Sequence, residues 1–167
     1  YPIVMGWQWG GGWLAELGFS DFAGSTLVHS TGGAAALAGI MLLGARAGRF
    51  DSKGEAKAMK PFAASSIPLV TVGVFILWLG WFGFNGGSQL AIGTFDDAVA
   101  VSGIFINTNL AACGGVMAAA IITRLMFGKT DVIQMLNGAI GGLVAITAEP
   151  LAPSPFAAIL IGAVGGM

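Results

Sequence analysis

Apolar runs and short polar gaps alternate along this chain. Four runs, at about 22–45, 67–90, 98–125 and 132–148, are long enough to be read as membrane spans, and a fifth, 156–167, reads as a truncated one. None alternates with period two, so the spans are predicted to be helices and not barrel strands. The gaps are of two kinds. All seven Lys and Arg fall in two of them: Arg46, Arg49, Lys53, Lys57 and Lys60 in the first, Arg124 and Lys129 in the second. The gaps between hold acids without bases, Asp96 and Asp97 in one and Glu149 in the next. Under the positive-inside rule the basic gaps are cytoplasmic and the acidic ones external.

Punctuation residues refine this map. Trp7, Trp9 and Trp13 surround Gly10-Gly11-Gly12, which reads as the end of one span and a short outer loop, because three glycines break a helix and Trp favours the membrane–water interface. Asp21 is placed to cap the span that follows, where its carboxylate meets the positive end of the helix dipole. The first basic loop, about 46–62, contains Gly48, Gly54 and Pro61, and the second cytoplasmic turn is Gly128-Lys129-Thr130-Asp131. Pro150, Pro153 and Pro155 mark the last outer loop.

Composition changes the picture in one respect: it excludes a soluble domain. The chain is 56% hydrophobic and only 9% charged, against about 25% charged in a typical soluble domain. The predicted class is all-α, a polytopic transmembrane helix bundle, with residues 1–167 forming part of a single transmembrane domain of a multi-pass cell-membrane protein. A net charge of -1 argues against a nucleic-acid partner. Cys113 is the single cysteine and reads as a small packing residue. Tyr1 at the start and an apolar run at the end lead to the expectation of an internal fragment of a longer protein.

Many of the 28 glycines lie inside the spans, and three pairs are spaced four apart: Gly83 and Gly87, Gly138 and Gly142, Gly162 and Gly166. Small residues at that spacing let helix backbones approach closely in lipid, and tight packing within one bundle is the expected use.

His29, the only histidine, is the sharpest candidate for chemistry. It lies about 12 Å along a helix beyond Asp21, well inside the hydrocarbon layer. Asp21, Ser25 and His29 follow i, i+4, i+8 spacing and would form one polar stripe. An imidazole desolvated in lipid is expected to be neutral. A helix–helix hydrogen bond would account for it, but an ionisable residue at this depth is a functional candidate by default. A second group is Trp81-Phe82-Gly83-Phe84-Asn85-Gly86-Gly87-Ser88 at the outer end of the second complete span. An aromatic ring beside a hydroxyl can hold a small cation, although aromatics at this depth also serve as interface anchors.

Other polar features carry less. Thr71-Val72-Gly73-Val74-Phe75 is like the start of a potassium-channel filter, but Phe75 replaces the final glycine and the segment sits within an apolar helix. Asn107, Thr108 and Asn109 suit helix–helix hydrogen bonding as well as pore lining. No nucleophile–base pair, zinc motif or phosphate loop is present, so neither an enzyme nor a metal or other cofactor is expected.

In their order and spacing these segments resemble the ammonium transporter family (Amt, Mep and Rh proteins), and its bacterial and plant-like Amt branch in particular. The resemblance is carried by Trp9-Gly10-Gly11-Gly12-Trp13-Leu14, by Asp21-Phe22-Ala23-Gly24 through Val28-His29, and by Gly48-Arg49-Phe50-Asp51. It continues through Gly80-Trp81-Phe82-Gly83-Phe84-Asn85 with Gly87-Ser88, Asn109-Leu110-Ala111, and Asn137-Gly138 with Gly141-Gly142-Leu143. It implies an eleven-helix bundle assembled as a homotrimer in the lipid bilayer, of which this chain holds the end of the fourth helix, the fifth to eighth, and part of the ninth.

The resemblance also implies roles. Trp9 and Ser88 are like the outer recruitment site for ammonium. Phe84 is like one of two stacked gate phenylalanines, and His29 is like the first of two pore-lining histidines. Asp21 and Asn85 would support the site. The second histidine and second phenylalanine would lie outside these residues. The implied function is ammonium/ammonia transport: recruitment of the cation, deprotonation, and passage of ammonia along a hydrophobic pore. An ammonium sensor signalling through a PII-type regulatory protein or a fused kinase stays open as the alternative. A third reading, His29 as a haem or quinone ligand, would call for a second histidine at helical spacing, and none is present.

Overall fold

The computed structural model describes residues 1–46 and 64–167. Most of the first basic loop, with the Gly48–Asp51 segment, lies outside the described residues. Two short helices, α1 (Pro2–Gln8) and α2 (Trp13–Glu16), precede a π-helical stretch, Ser25–Ser30, that runs directly into α3 (Thr31–Leu43). Then follow α4 (Ile67–Gly87), α5 (Phe95–Phe127), α6 (Val132–Ile146) and α7 (Pro155–Gly165). There is no strand among the described residues. Ser25–Leu43, α4 and α5, with 19, 21 and 33 residues, are long and apolar enough to cross a membrane, and α6 and α7 are shorter apolar helices.

Polar side chains at the loop junctions set where the helices begin. Thr94 and Asp97 form a reciprocal capping box on α5, the Thr94 hydroxyl accepting from Asp97 N and the Asp97 carboxylate accepting from Thr94 N. This draws Asp96 and Asp97, expected in the loop, into the first turn of the helix, where negative charge meets the positive dipole end. Arg124, also expected in a gap, lies in the last turn of α5, which stops at Gly128 with φ 71°. Asp131 caps α6 by accepting from Ile133 N and Gln134 N, and Ser154 caps α7 by accepting from Ala157 N.

The first long helix differs most from the sequence reading. It begins at Ser25, not at 22, and its first turn is π-helical, with Gly24 at φ 115°. Asp21 therefore precedes the helix and does not head a stripe along it.

The core is a three-helix packing of α5 against α6 and α7, held at backbone contact. A Cβ on Gly162 would strike the carbonyl of Ala111, and one on Gly115 would strike the carbonyl of Gly138. Gly138, Gly142 and Gly166 make similarly close approaches, whereas Gly83 and Gly87 meet nothing among the described residues. Overpacking of a core costs about 1–3 kcal/mol. Since the atom in the way at Gly162 is a backbone carbonyl, Gly162→Val is expected to reach the upper end of that range. Thermal melting of the full-length protein in detergent would check this, and an unchanged midpoint would contradict the packing.

α4 lies against this core through Trp81, which clusters with Ala112 of α5 and Leu143 of α6. It also carries the Thr71–Phe75 segment inside a continuous helix.

Candidate functional site

Asp21 builds the site from below. Its side chain is almost fully buried, and its carboxylate is used entirely on backbone donors. Oδ1 accepts from Gly24 N and Ser25 N, and Oδ2 from Thr26 N and Leu27 N, all at 2.9–3.0 Å. The opening N–H groups of a helix have no partner within the helix, and here one carboxylate satisfies four of them. The carbonyl of Gly24 in turn accepts from both Val28 N and His29 N at 3.0 Å. The wide π turn, a feature that recurs at functional sites, delivers His29 to the face of α4.

There the imidazole stacks on Trp81, with centroids 5.1 Å apart and planes 20° apart, and lies 5.4 Å from the ring of Phe84. Trp81 and Phe84 are 5.8 Å apart, so the three rings form one cluster. The buried Nε2 of His29 has no hydrogen-bond partner among the described residues. Trp81 is held by its own donor: the indole Nε1 donates to Thr147 Oγ1 at 2.8 Å, and that hydroxyl donates to Leu143 O at 2.6 Å.

The other candidate residues are placed around this cluster. Trp9 Nε1 donates to the backbone carbonyl of Asp21 at 2.7 Å, leaving the indole 40% exposed. Ser88 is the C-cap of α4, and its hydroxyl donates to Phe84 O at 2.8 Å. The structure thus joins Trp9 to Asp21, Ser88 to Phe84, and Phe84 to His29. No hydrogen bond or ring contact among the described residues joins Trp9 to Ser88. Asn85 is fully buried and donates through Nδ2 to Thr108 Oγ1 at 3.0 Å, tying α4 to α5, while its Oδ1 has no partner among the described residues. Asn107 Nδ2 donates to Pro150 O and Pro153 O, so two members of the α5 polar cluster tie structure together. Asn109 lies exposed on the same helix.

The Ammonium Transporter Family model matches residues 1–167. This chain belongs to the ammonium transporter family. It is 45% identical over 99% of its length to the ammonium transporter Amt2 of Archaeoglobus fulgidus, covering 36% of that protein. It is 38% identical over its whole length to ammonium transporter 1 member 1 of Arabidopsis thaliana, again covering 36%. Among solved structures, a protein described as a sensor Amt superposes with a TM-score of 0.90 at 38% identity, over 99% of this chain and 41% of that one. Candida albicans Mep2 superposes at 0.84 and 34% identity, over 98% of this chain and 34% of that one. The chain spans a little over a third of the length of the curated relatives it matches. An all-α bundle is therefore the family's fold, and the chain is part of an integral membrane protein whose relatives are named as transporters and not as enzymes.

Thr147, which holds the Trp81 indole, does not stand out in the sequence, and Gly24 enters it only as the last residue of the Asp21–Gly24 segment, with no sign of the wide turn it opens. A threonine near a helix end is among the commonest of features. The glycine's positive φ has no signature beyond the Asp–x–x–Gly spacing.

Proposed function

We propose that this chain supplies the outer half-site and the first histidine of an ammonium-conducting pore. The observation that carries the reading is the His29–Trp81–Phe84 cluster, in which a buried imidazole nitrogen has no partner among the described residues. Such a nitrogen can donate to or accept from a small polar molecule moving past it. Trp9 and Ser88 recruit the cation, the ring face attracting charge and the hydroxyl accepting a hydrogen bond. A bare ammonium ion is costly in an apolar passage and neutral ammonia is not. The cation therefore gives up its proton to water at the outer mouth, near Phe84, and ammonia passes His29. Asp21 and Asn85 act by holding the elements that carry these groups. The working unit is a homotrimer with one pore per subunit, with Asp96 and Asp97 external and the basic loops cytoplasmic. The spans are those containing α3 to α7.

Trp9→Leu and Ser88→Ala in the full-length protein are expected to raise the half-saturation concentration for methylammonium more than they lower maximal uptake. The loss of a hydrogen bond to a charged group is worth about 1.5–3 kcal/mol. Uptake curves decide this, and unchanged half-saturation in both variants would remove the two residues from recruitment.

A second reading is favoured by one finding, the likeness to the sensor Amt protein. In that reading the same site binds ammonium and reports it to a cytoplasmic partner such as a PII-type protein. Substrate-dependent partner binding without uptake would select it.

A further inference from the structure

We infer that Thr147 is a positioning residue for substrate selection: its hydroxyl fixes the Trp81 indole in the plane that stacks on His29, and so sets the slot beside the imidazole. This rests on the transport reading given above.

Three observations carry it. Thr147 is fully buried, and its single hydroxyl does two jobs. It donates to Leu143 O, which turns its lone pairs toward Trp81 Nε1, and it accepts the indole proton at 2.8 Å. A buried indole N–H needs a partner, so this bond selects one rotation of the ring. The same helix end also fixes the opposite side of the stack. Thr147 O accepts from Ala23 N, Ala148 O from Phe22 N, and Val144 O from Ser25 Oγ, at 2.8–3.1 Å. One turn therefore registers both the chain entering the His29 helix and the ring that lies 5.1 Å from the imidazole. The indole covers one face of the imidazole, so its rotation sets how much room is left beside that ring, and a methyl group is the kind of difference such a space can read.

The test uses the full-length protein and four variants: Thr147→Val, which removes the hydroxyl at equal shape, Thr147→Ser, which keeps it, Trp81→Phe, and the Val/Phe double variant. The readout is uptake of labelled methylammonium in competition with ammonium, normalised to folded protein. Thr147→Val should lower the preference for ammonium by roughly threefold to tenfold, the effect of losing one neutral hydrogen bond. Thr147→Ser should restore it. In the Trp81→Phe background, Thr147→Val should add nothing. Additive effects, no rescue by serine, or an unchanged preference in Thr147→Val would each overturn the proposal. So would failure of Thr147→Val to assemble while Trp81→Phe assembles, since the hydroxyl would then hold the fold and not the ring. Hydrogen exchange of the Trp81 indole proton, assigned by its loss in Trp81→Phe, reads the positioning without transport. It should be slow in the wild type and Thr147→Ser and fast in Thr147→Val, and equal rates would overturn the proposal. A wild type that takes up neither amine while this exchange pattern holds would count against the transport reading alone.

Discussion

Asp21→Ala should all but eliminate correctly assembled protein. The four N–H groups that its carboxylate satisfies belong to residues 24–27 at the entrance to a helix, where no intrahelical partner exists. Leaving a buried donor unpaired costs about 1–3 kcal/mol, and four at once approach the whole stability of a typical domain, about 5–15 kcal/mol. The bond from Trp9 goes to the Asp21 backbone carbonyl and survives the substitution, so the effect isolates the carboxylate. Asp21→Asn keeps one acceptor oxygen and should fall between. Folded yield and detergent melting of the full-length protein measure this. A wild-type melting curve for Asp21→Ala would show that the wide turn holds itself together.

His29→Ala should do the reverse, sparing the fold and damaging transport. Its buried Nε2 makes no hydrogen bond among the described residues, so removing the ring strands no partner there. The loss is the stacking on Trp81 and Phe84, about 0.5–1.5 kcal/mol for each aromatic pair. Transport is another matter. An imidazole that can both donate and accept is what a passing ammonia or water needs in an apolar passage. Uptake or ammonium-driven current per folded protein should fall by about tenfold, the consequence of about 1.4 kcal/mol at the barrier, or should lose preference over potassium. Paired measurement of detergent melting and transport separates the outcomes. Lower stability with unchanged transport per folded protein would make His29 a packing residue.

What was legible in the sequence follows from where the physics is one-dimensional. Hydropathy and caps are local, so the helices were readable to within a few residues. Their edges moved where a side chain reached across the junction, as Thr94 and Asp97 did for α5. His29 stands out because an ionisable residue in lipid is conspicuous, and Phe84 and Ser88 because an aromatic ring beside a hydroxyl can hold a small cation. The pairings across helices were not legible. Nothing local says that Trp81 Nε1 reaches Thr147, or that Asn85 reaches Thr108. The glycine pairs show the same limit. Gly138 and Gly142 approach another backbone, while Gly83 and Gly87, with the same spacing, meet nothing among the described residues. The wide turn at Ser25–Ser30 looks like ordinary helix in the sequence because its stabilising contacts come from a carboxylate outside it.

α5 has 33 residues, and the uncharged stretch between Asp97 and Arg124 alone is about 39 Å long at about 1.5 Å per residue. The hydrocarbon layer is about 30 Å thick. Such a helix must lean or thicken the lipid around it. It cannot lean alone, because α6 and α7 touch it backbone to backbone at Gly115 and Gly162. The group would tip as one body and carry the end of α6, with the residues that grip Trp81 and the His29 helix, along with it. Shorter acyl chains would increase that lean and longer ones relieve it, with no change to the protein itself.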